Sequence, residues 1–260
     1  FIVKGSDVLV IECNLRASRS SPFASKVTNH NFIRIATEAI MGKHVRRDYE
    51  TLELEYVGVK TPQFSYSRLK GANPVAHVEM ASTGEVATMG DNLLDAFLTS
   101  WKATEQNIKR KRIFVSIGGH NKARFLTALK KLDDLGWDIY ATENTNDYLA
   151  KNGVGSVFVY KACDEDEPNI KTIITNHEVD LIINIPRAKQ YVTHDQITDG
   201  YVLRRLAIDH HIPLITNVQT GQLMLECLAE LPENYLKAKS WNEYVGNHPQ
   251  KEAAPILETS

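Results

Sequence analysis

IFVSIGGHNKARFL, residues 113–126, contains a short apolar run, a loop with two glycines and the beginning of an amphipathic segment. A run such as IFVSI, bounded by turn residues, is typical of a strand that is covered on both faces. From Lys122 onward, apolar side chains recur at helical spacing until Gly136, where a glycine favours the end of a helix. The stretch therefore predicts a strand, a loop and a helix, which is the repeating unit of an α/β domain.

The same unit recurs towards the C-terminus. Four more strand-like runs follow, with helix-like segments between them: WDIYA (137–141), SVFVY (156–160), DLIINI (180–185) and PLIT (213–216). Five strands alternating with helices favour a doubly wound parallel sheet. In such sheets, ligands bind beyond the carboxyl ends of the strands, so the residues that follow each strand are the candidates for a site.

Polar side chains follow all five predicted strands. They are Lys122, Thr142, Thr145, Lys161, Asn184, Thr216 and Asn217. Gathered on one edge of the sheet, these lysines, hydroxyls and amides would bind a phosphate and a sugar, with backbone N–H groups from the start of the first helix. Each residue also has an ordinary structural explanation. Thr142 and Thr145 can cap the next helix, Lys122 can be solvated, and Asn184 can complete a turn before Pro186.

Residues 1–15 predict a β-hairpin with the strands FIVKG (1–5) and DVLVIEC (7–13), which overlaps the charged stretch IECNLRASRS (11–20). On a strand, Glu12 and Asn14 point to the same face, and oxygen ligands of this kind suit Mg²⁺ or Mn²⁺. Arg16 and Arg19 can bind phosphate or carboxylate oxygens in a bidentate manner. Spacing alone leaves a second explanation open, namely a polar edge strand with surface arginines.

The stretch between these two regions predicts two helices and much irregular structure. Residues 29–42 predict a helix, and residues 57–90, which contain several glycines and prolines, predict an irregular segment. Asp91 is a candidate N-cap for a helix with an apolar stripe over residues 93–101. The polar, basic residues 102–112 predict the end of that helix and a solvated linker.

Composition excludes several classes of protein. The 260 residues are 43% hydrophobic and carry a formal net charge of −2 with both signs interspersed, so neither a nucleic-acid nor an anionic-membrane partner is indicated. No apolar run reaches the ~20 residues of a membrane span, and the N-terminus does not resemble a signal peptide. The three cysteines and nine histidines lack metal-site spacing, and the cysteines indicate reduced thiols in a cytoplasmic compartment. Because the chain begins within a strand pattern and without Met, we expect it to be a piece of a longer protein.

IECNLRASRSSPFASK, residues 11–26, resembles the ATP-grasp signature of the carbamoyl-phosphate synthase large chain, E-x-N-x-R-(A/S)-x-R followed by P-F-x-S-K. The resemblance continues through VEMASTGEVATMG (78–90) towards the C-terminus. It implies an α/β chain in which the C-terminal end of an ATP-grasp domain precedes a doubly wound parallel-sheet domain like methylglyoxal synthase. The implied bounds are 1–101 for the ATP-grasp end and its connecting helices, 102–112 for a linker, 113–250 for the methylglyoxal-synthase-like allosteric domain and 251–260 for a tail.

The resemblance also implies an activity, the ATP-dependent ligation that makes carbamoyl phosphate from bicarbonate and ammonia. The implied cofactors are ATP and Mg²⁺ or Mn²⁺, with Glu12 and Asn14 as metal ligands and Arg16 and Arg19 as catalytic residues beside the phosphates. In the family, a third ligand, a glutamine, would fall immediately before Phe1, so we expect the segment alone to be inactive. The implied partner is a glutaminase, as a small subunit or a fused domain. The oligomeric state is left open, with residues 43–110 as a candidate for part of a contact with a further copy of the chain.

The methylglyoxal-synthase-like domain of this family binds an effector, which is a nucleotide or a phosphoribosyl compound or, in urea-cycle members, N-acetylglutamate. Urea-cycle members have a tryptophan near the position of Lys161, so lysine implies a phosphorylated effector and a cytoplasmic enzyme of the pyrimidine type. The segments TENT (142–145), IINIP (182–186) and LITN (214–217) are more similar to the urea-cycle type. N-acetylglutamate, with a location in the mitochondrial matrix, is therefore the alternative.

Two other functions compete with this interpretation. The chain can be an effector-binding module without catalysis, or a lyase of the methylglyoxal synthase type. Such lyases use aspartates as catalytic bases, and the loop GGHN (118–121) carries none. In members activated by ornithine, a glutamate contacts the ligand near the position of Thr61, where threonine cannot pair with an ammonium group, so activation through that contact is not expected.

Overall fold

A computed structural model describes residues 1–13, 15–18, 20–45, 54–75, 82–104, 106–186, 198–232, 235 and 238–246. The chain forms two compact units. The first consists of Phe1–Gly58, Met89–Asn92 and Ala238–Ser260, and the second of Val59–Thr88 and Leu93–Lys237. The predicted linker at residues 102–112 therefore lies inside the second unit, together with the helix that precedes it.

Nine strands and nine α-helices are found in the described part of the chain. The strands are β1 (Ile2–Lys4), β2 (Asp7–Leu9), β3 (Val57–Gln63), β4 (Gly84–Gly90), β5 (Arg112–Ile117), β6 (Asp138–Thr142), β7 (Val157–Val159), β8 (Leu181–Ile185) and β9 (Leu214–Ile215). The helices are α1 (Ser21–Val27), α2 (Phe32–Ile40), α3 (Leu93–Lys102), α4 (Lys122–Asp134), α5 (Glu143–Lys151), α6 (Ile170–Thr175), α7 (Asp199–Asp209), α8 (Val218–Glu230) and α9 (Trp241–Val245).

The second unit is built on a five-stranded parallel sheet. Its strand order is β7-β6-β5-β8-β9, so the chain starts in the centre, proceeds to one edge and then returns to build the other. This order confirms the predicted doubly wound parallel sheet. Because all five strands are parallel, their carboxyl ends share one edge, and the order reverses between β5 and β8, where such sheets bind ligands.

Along each strand, successive side chains point to opposite faces of the sheet, so both faces carry apolar side chains. On β5, Ile113, Val115 and Ile117 face one core, whereas Phe114 faces the other. The first core is closed by α3, α4, α5 and α8, and the second by α6 and α7. Helix α3 was assigned from the sequence to the preceding domain, yet its Phe97, Leu98 and Trp101 are buried in the core of this sheet.

The first unit contains the predicted β-hairpin and short helices. Strand β1 pairs with β2 in antiparallel fashion, but β2 ends at Leu9 and does not extend to Cys13 as predicted. The reason is the register, because Leu9 already pairs with Ile2 at the start of β1 and the residues beyond it have no strand opposite. A small cluster around Tyr56, Tyr244 and Val245 forms the buried part of this unit.

Two predictions for the region before the sheet were wrong. Residues 57–90 are not irregular throughout, because β3 and β4 within them form a two-stranded sheet. Pro62 is compatible with β3 because each strand of a two-stranded sheet has one unpaired edge. Helix α1 was not predicted, although Pro22 in its first turn is a favourable start. Helix α2 is shorter than the predicted 29–42, and none of its residues is buried.

Candidate functional site at the carboxyl edge of the sheet

The candidate site lies where β5, β6 and β8 end side by side. Ser116 and Asn184 are direct partners in the register of β5 and β8, and Thr142 is the last residue of β6. Thr145 follows in the first turn of α5. We refer to Ser116, Thr142, Thr145 and Asn184 as the carboxyl-edge cluster. Three of these four residues were predicted as site residues, and the parallel sheet brings them together.

Hydroxyl groups hold β5, β6 and α5 together within this cluster. Thr145 is only 1% exposed, and its Oγ1 accepts a hydrogen bond from the backbone N–H of Ile117 at 3.1 Å. The Oγ1 of Thr142 lies 3.3 Å from Oγ of Ser116 and 3.5 Å from Oγ1 of Thr145. Thr142 is the N-cap residue of α5, but its side chain makes no capping hydrogen bond. Its hydroxyl is therefore directed into the cluster, which argues against the capping explanation.

Asn184 connects the cluster to a buried arginine. Its Nδ2 lies 3.5 Å from the carbonyl oxygen of Ser116, and its Oδ1 accepts a hydrogen bond of 2.7 Å from Nη1 of Arg204 on α7. Arg204 is 4% exposed, and its Nε also donates to Oδ1 of Asn73 at 2.9 Å. A guanidinium in this position places positive charge behind the amide group at the ligand edge of the sheet.

The loop between β5 and α4 approaches the same edge. The N–H of Gly118 donates to the carbonyl of Ile185 at 2.9 Å, which fixes the loop against β8. Gly119 has φ of +60°, a left-handed conformation that glycine adopts without a steric penalty. Lys122 begins α4, and its Nζ lies 3.5 Å from the carbonyl oxygen of Gly119. The half-buried lysine thus stands at a helix N-terminus, where an anion is favoured.

Lys161 occupies the predicted place after β7, but it has an acidic neighbour. Its Nζ lies 3.4 Å from Oδ2 of Asp199 at the start of α7, and its backbone N–H donates to Asp164 at 2.9 Å. The hydrogen bond and charge of Asp199 raise the pKa of Lys161, so the ammonium stays protonated. Both side chains of the pair are more than half exposed, at 60% and 53%, so the pair is open to competition from a ligand.

Thr216 and Asn217 follow β9 as predicted, but Asn217 has a structural role. Its Oδ1 accepts hydrogen bonds from the N–H and the hydroxyl of Thr220, at 3.1 and 3.3 Å, and so caps α8. Thr216 lines a separate cavity of about 500 Å³ that also includes Phe64 and Tyr66. For Asn217, the geometry thus favours the capping alternative over the ligand role.

The predicted metal and phosphate residues of the first unit are only partly described. Glu12 and Arg16 are exposed, while Asn14 and Arg19 lie outside the described residues. Glu12 lies beyond the end of β2, so the strand alternation used to pair it with Asn14 does not apply. Across the described part of the chain, no group of three or more His, Cys, Asp or Glu side chains is placed to hold a metal ion. The assignment of Glu12 and Asn14 as metal ligands stays a prediction.

Thr61 lies on β3 and contacts α3. Its hydroxyl hydrogen-bonds to the hydroxyl of the buried Ser100 on α3. That ornithine does not activate the protein through this position stays a prediction.

Sequence reasoning missed four residues that the structure brings to this edge or behind it. They are Ser116, Asp199, Arg204 and Asn73. Two adjacent arginines in the apolar context VLRRLA (202–207) were a usable signal, because charged side chains inside an apolar helical stripe need buried partners. No sequence pattern indicates Asn73, which contacts Arg204 across 131 positions of the chain.

Comparison with known proteins gives a consistent result for this region. Residues 124–216 match the family described as the MGS-like domain. The chain is 42% identical over 237 residues to Multifunctional protein URA2 of Saccharomyces cerevisiae and 40% identical over 238 residues to the mitochondrial carbamoyl-phosphate synthase (ammonia) of Homo sapiens. Each match covers 88% of this chain, but only 11% of the yeast protein and 16% of the human one.

A solved structure is also similar. The crystal structure of methylglyoxal synthase from Elizabethkingia anophelis matches 46% of this chain and 79% of that one, with 18% identity and a TM-score of 0.36.

Among the described residues, the helices are all too short or too polar to cross a membrane.

Proposed function

We propose that the carboxyl edge of the sheet binds a small anionic effector, because residues 124–216 match the MGS-like domain and 88% of the chain is similar to a carbamoyl-phosphate synthase. The observation that carries this proposal is the carboxyl-edge cluster, in which hydroxyl and amide groups converge in front of the buried guanidinium of Arg204. Lys122 and the N-terminus of α4 add positive potential at the same edge.

The effector class follows from the groups around this edge. Hydroxyls, an amide and two lysines suit a phosphate or carboxylate, and the raised pKa of Lys161 keeps its ammonium charged. We propose a phosphorylated effector, a nucleotide or a phosphoribosyl compound, with N-acetylglutamate as the alternative. A phosphorylated effector corresponds to a cytoplasmic enzyme of the pyrimidine type, and N-acetylglutamate to an enzyme of the mitochondrial matrix.

Calorimetry on the purified chain tests this proposal. UMP, UTP, IMP, phosphoribosyl pyrophosphate and N-acetylglutamate would be titrated separately into wild type and Thr142→Val, a variant of similar shape that lacks the hydroxyl. We expect one compound to bind wild type and to lose about tenfold in affinity with Thr142→Val, because a ligand hydrogen bond to a charged group contributes about 1.5–3 kcal/mol. Thr127→Val, on the exposed side of α4, is the matched control and should bind normally. The proposal would be contradicted if wild type bound none of the five compounds. It would also be contradicted if Thr142→Val bound the effector as tightly as wild type does.

For the longer protein, we propose ATP-dependent synthesis of carbamoyl phosphate from bicarbonate and ammonia, with a glutaminase subunit or domain as a partner. The chain spans 11–16% of the length of the yeast and human relatives, so it would supply the regulatory part and one end of an ATP site. A lyase of the methylglyoxal synthase type is the rival. The loop 118–121 has no carboxylate, and phosphate release from dihydroxyacetone phosphate by the purified chain would favour that rival.

Glu12 and Asn14 as Mg²⁺ or Mn²⁺ ligands, and Arg16 and Arg19 as phosphate-binding residues, are part of this proposal. The support is the signature IECNLRASR (11–19) and the oxygen chemistry of the first two side chains. In the full-length enzyme, Glu12→Gln should abolish carbamoyl phosphate synthesis and weaken metal binding, whereas Glu38→Gln, at a carboxylate that pairs with Arg34 on α2, should not. If Glu12→Gln made carbamoyl phosphate at the wild-type rate, Glu12 would not be a required metal ligand.

A further inference from the structure

Helix α7 carries two adjacent arginines that are both buried, Arg204 at 4% and Arg205 at 8% exposure. They are the buried basic side chains of the described part of the chain. A guanidinium taken out of water is costly unless acceptors surround it, so the groups that accept its hydrogen bonds are part of one arrangement with it. Many of these acceptors belong to residues 64–75, the stretch that follows β3, which we call the connector segment.

Arg205 fastens the connector segment to α7. Its Nη1 donates to the carbonyl oxygens of Tyr66, Leu69 and Ala72 at 3.2, 3.3 and 3.0 Å, and its Nη2 pairs with Asp209 one turn along the helix. The hydroxyl of Tyr201 adds a bond of 2.7 Å to the carbonyl of Gly71. None of these contacts involves a residue of the carboxyl-edge cluster, so they attach the segment to α7 without defining where its Asn73 lies relative to that edge.

Arg204 differs from Arg205 because it contacts two asparagines that lie on different parts of the second unit. Its Nη1 donates to Asn184 at the ligand edge, and its Nε donates to Asn73 in the connector segment, at 2.7 and 2.9 Å. The guanidinium is planar and rigid, so the positions of the two asparagine oxygens are tied to each other. A displacement of the Asn184 amide therefore reorients the group that holds Asn73.

A ligand has a direct means of displacing that amide. The contact from Nδ2 of Asn184 to the carbonyl oxygen of Ser116 is 3.5 Å, which is long for an N–H···O bond. A phosphate or carboxylate oxygen would form a shorter, charge-assisted bond with the same Nδ2. We propose that Asn184, Arg204 and Asn73 form a relay through which occupancy of the carboxyl edge repositions the connector segment. This relay rests on the proposed effector site.

Gly200 leaves the room that this relay needs. A Cβ at Gly200 would lie 3.1 Å from Nη1 of Arg204 and 3.9 Å from Oδ1 of Asn184, which is crowded for the first atom. Gly200→Ala therefore disturbs the relay without deleting any polar group. Alanine is also the better helix former by about 1 kcal/mol, so a loosened connector segment in this variant could not be blamed on a weaker helix.

Hydrogen exchange without any ligand is the first test. We expect backbone amides of the connector segment to exchange about tenfold faster in Asn184→Ala and in Gly200→Ala than in wild type, while amides of α4 keep their rates. Asn152→Ala is the matched control, because Asn152 is a surface residue that bonds only locally to the carbonyl of Tyr148. If Asn184→Ala does not fold, Gly200→Ala decides alone. Unchanged exchange of the connector segment in the folded variants would overturn the relay.

The second test uses the full-length enzyme and separates binding from response. Asn73→Ala should bind the effector identified by calorimetry within about twofold of wild type, but its activity should respond at least fivefold less to that effector, since allosteric coupling is commonly 5–150-fold. A full response in Asn73→Ala would overturn the relay. If wild type bound no effector, the proposed function would fail instead, and the ligand-free exchange result would still decide whether the three residues are coupled.

Discussion

At the level of single residues, Thr145 shows how one hydroxyl can hold the candidate site in shape. Its Oγ1 is the acceptor for the N–H of Ile117 at the end of β5, in a place that is 1% exposed. Thr145→Val keeps the shape of the side chain but leaves this buried N–H without its partner. We expect the free energy of unfolding to fall by about 1–3 kcal/mol, measured by urea denaturation.

The matched control for this change is Thr145→Ser, which retains the hydroxyl and removes one methyl group. It should lose less stability than Thr145→Val, because the hydrogen bond to Ile117 is preserved while only a small apolar contact is lost. Equal or greater stability of the valine variant would mean that the hydrogen bond contributes nothing and that packing alone determines this position.

The reactivity of each cysteine depends on whether its thiol group is exposed or buried. Cys13 and Cys163 are exposed, whereas Cys227 on α8 is buried, with its Sγ 3.6 Å from the carbonyl of Leu94. Burial raises the pKa of Cys227 to about 12. Because only the thiolate attacks thiol reagents, we expect two of the three cysteines to react at about pH 8 in the native protein and the third only after denaturant is added.

The same shift makes stability sensitive to alkali. The folded-state pKa of Cys227 is above the ordinary value of 9.0 for a cysteine, so the unfolded chain loses this proton first as the pH rises. The contribution is present below pH 9 and is lost between 9 and about 12. Cys227→Ala should flatten this part of the stability profile, and a rapid reaction of all three thiols in the native state would contradict the assigned burial.

At the level of elements, Asp199 joins the start of α7 to the end of β7 through Lys161. Asp199 and an anionic effector would compete for the same ammonium group. Asp199→Asn should therefore strengthen binding of the anionic effector about two- to fivefold at low salt, in keeping with the small energies of exposed ion pairs, and less at high salt. Calorimetry at two salt concentrations measures the dissociation constant of the effector for wild type and for Asp199→Asn.

A change of net charge alone would also favour an anion, so a control is required. Asp134→Asn removes the same charge from an exposed position at the end of α4 and should leave the affinity nearly unchanged. If the two variants bind alike, or if Asp199→Asn binds more weakly, the pair of Lys161 and Asp199 does not regulate access to the site.

The elements also show which parts of the fold were predictable. The alternating segments from β5 to α8 were identified because each strand is short and apolar and each helix has its own stop signal, so local pattern and tertiary packing agree. Strands β3 and β4 were missed because they pair across the intervening residues 64–83 and contain or adjoin glycines and prolines, which mask a strand pattern. Helix α3 was identified, but its position in the core of the sheet depends on packing that no local pattern contains.

The site was predictable to the extent that topology determines it. Parallel strands place Thr142, Thr145 and Asn184 on one edge, and this followed from the sequence alone. The buried partner Arg204 and its link to Asn73 did not, because long-range contacts of side chains on a helix and an irregular segment leave no periodic signature. The arrangement of the carboxyl edge therefore depends on the buried Arg204 as well as on the residues at the edge itself.

At the level of the whole molecule, the exposed hairpin predicts how the chain behaves in solution. Seven large apolar side chains on it or directly after it are exposed by 54–78%: Phe1, Ile2, Val3, Val8, Leu9, Val10 and Ile11. A two-stranded hairpin has two unpaired edges, and a contiguous exposed apolar surface marks a place for association. We expect the purified chain to self-associate as its concentration rises, measured by sedimentation velocity.

Val3 and Val8 are cross-strand partners in this hairpin, so replacing both with threonine should weaken the association while preserving strand propensity. Val157→Thr on β7, the end strand of the five-stranded sheet, is the matched control, because that valine is 44% exposed but isolated from the hairpin surface in sequence. Association that persists in the double variant, or that Val157→Thr reduces equally, would exclude the hairpin as its cause. Loss of association in the double variant alone would show that apolar surface of the hairpin, and not the sheet edge at β7, brings copies of the chain together.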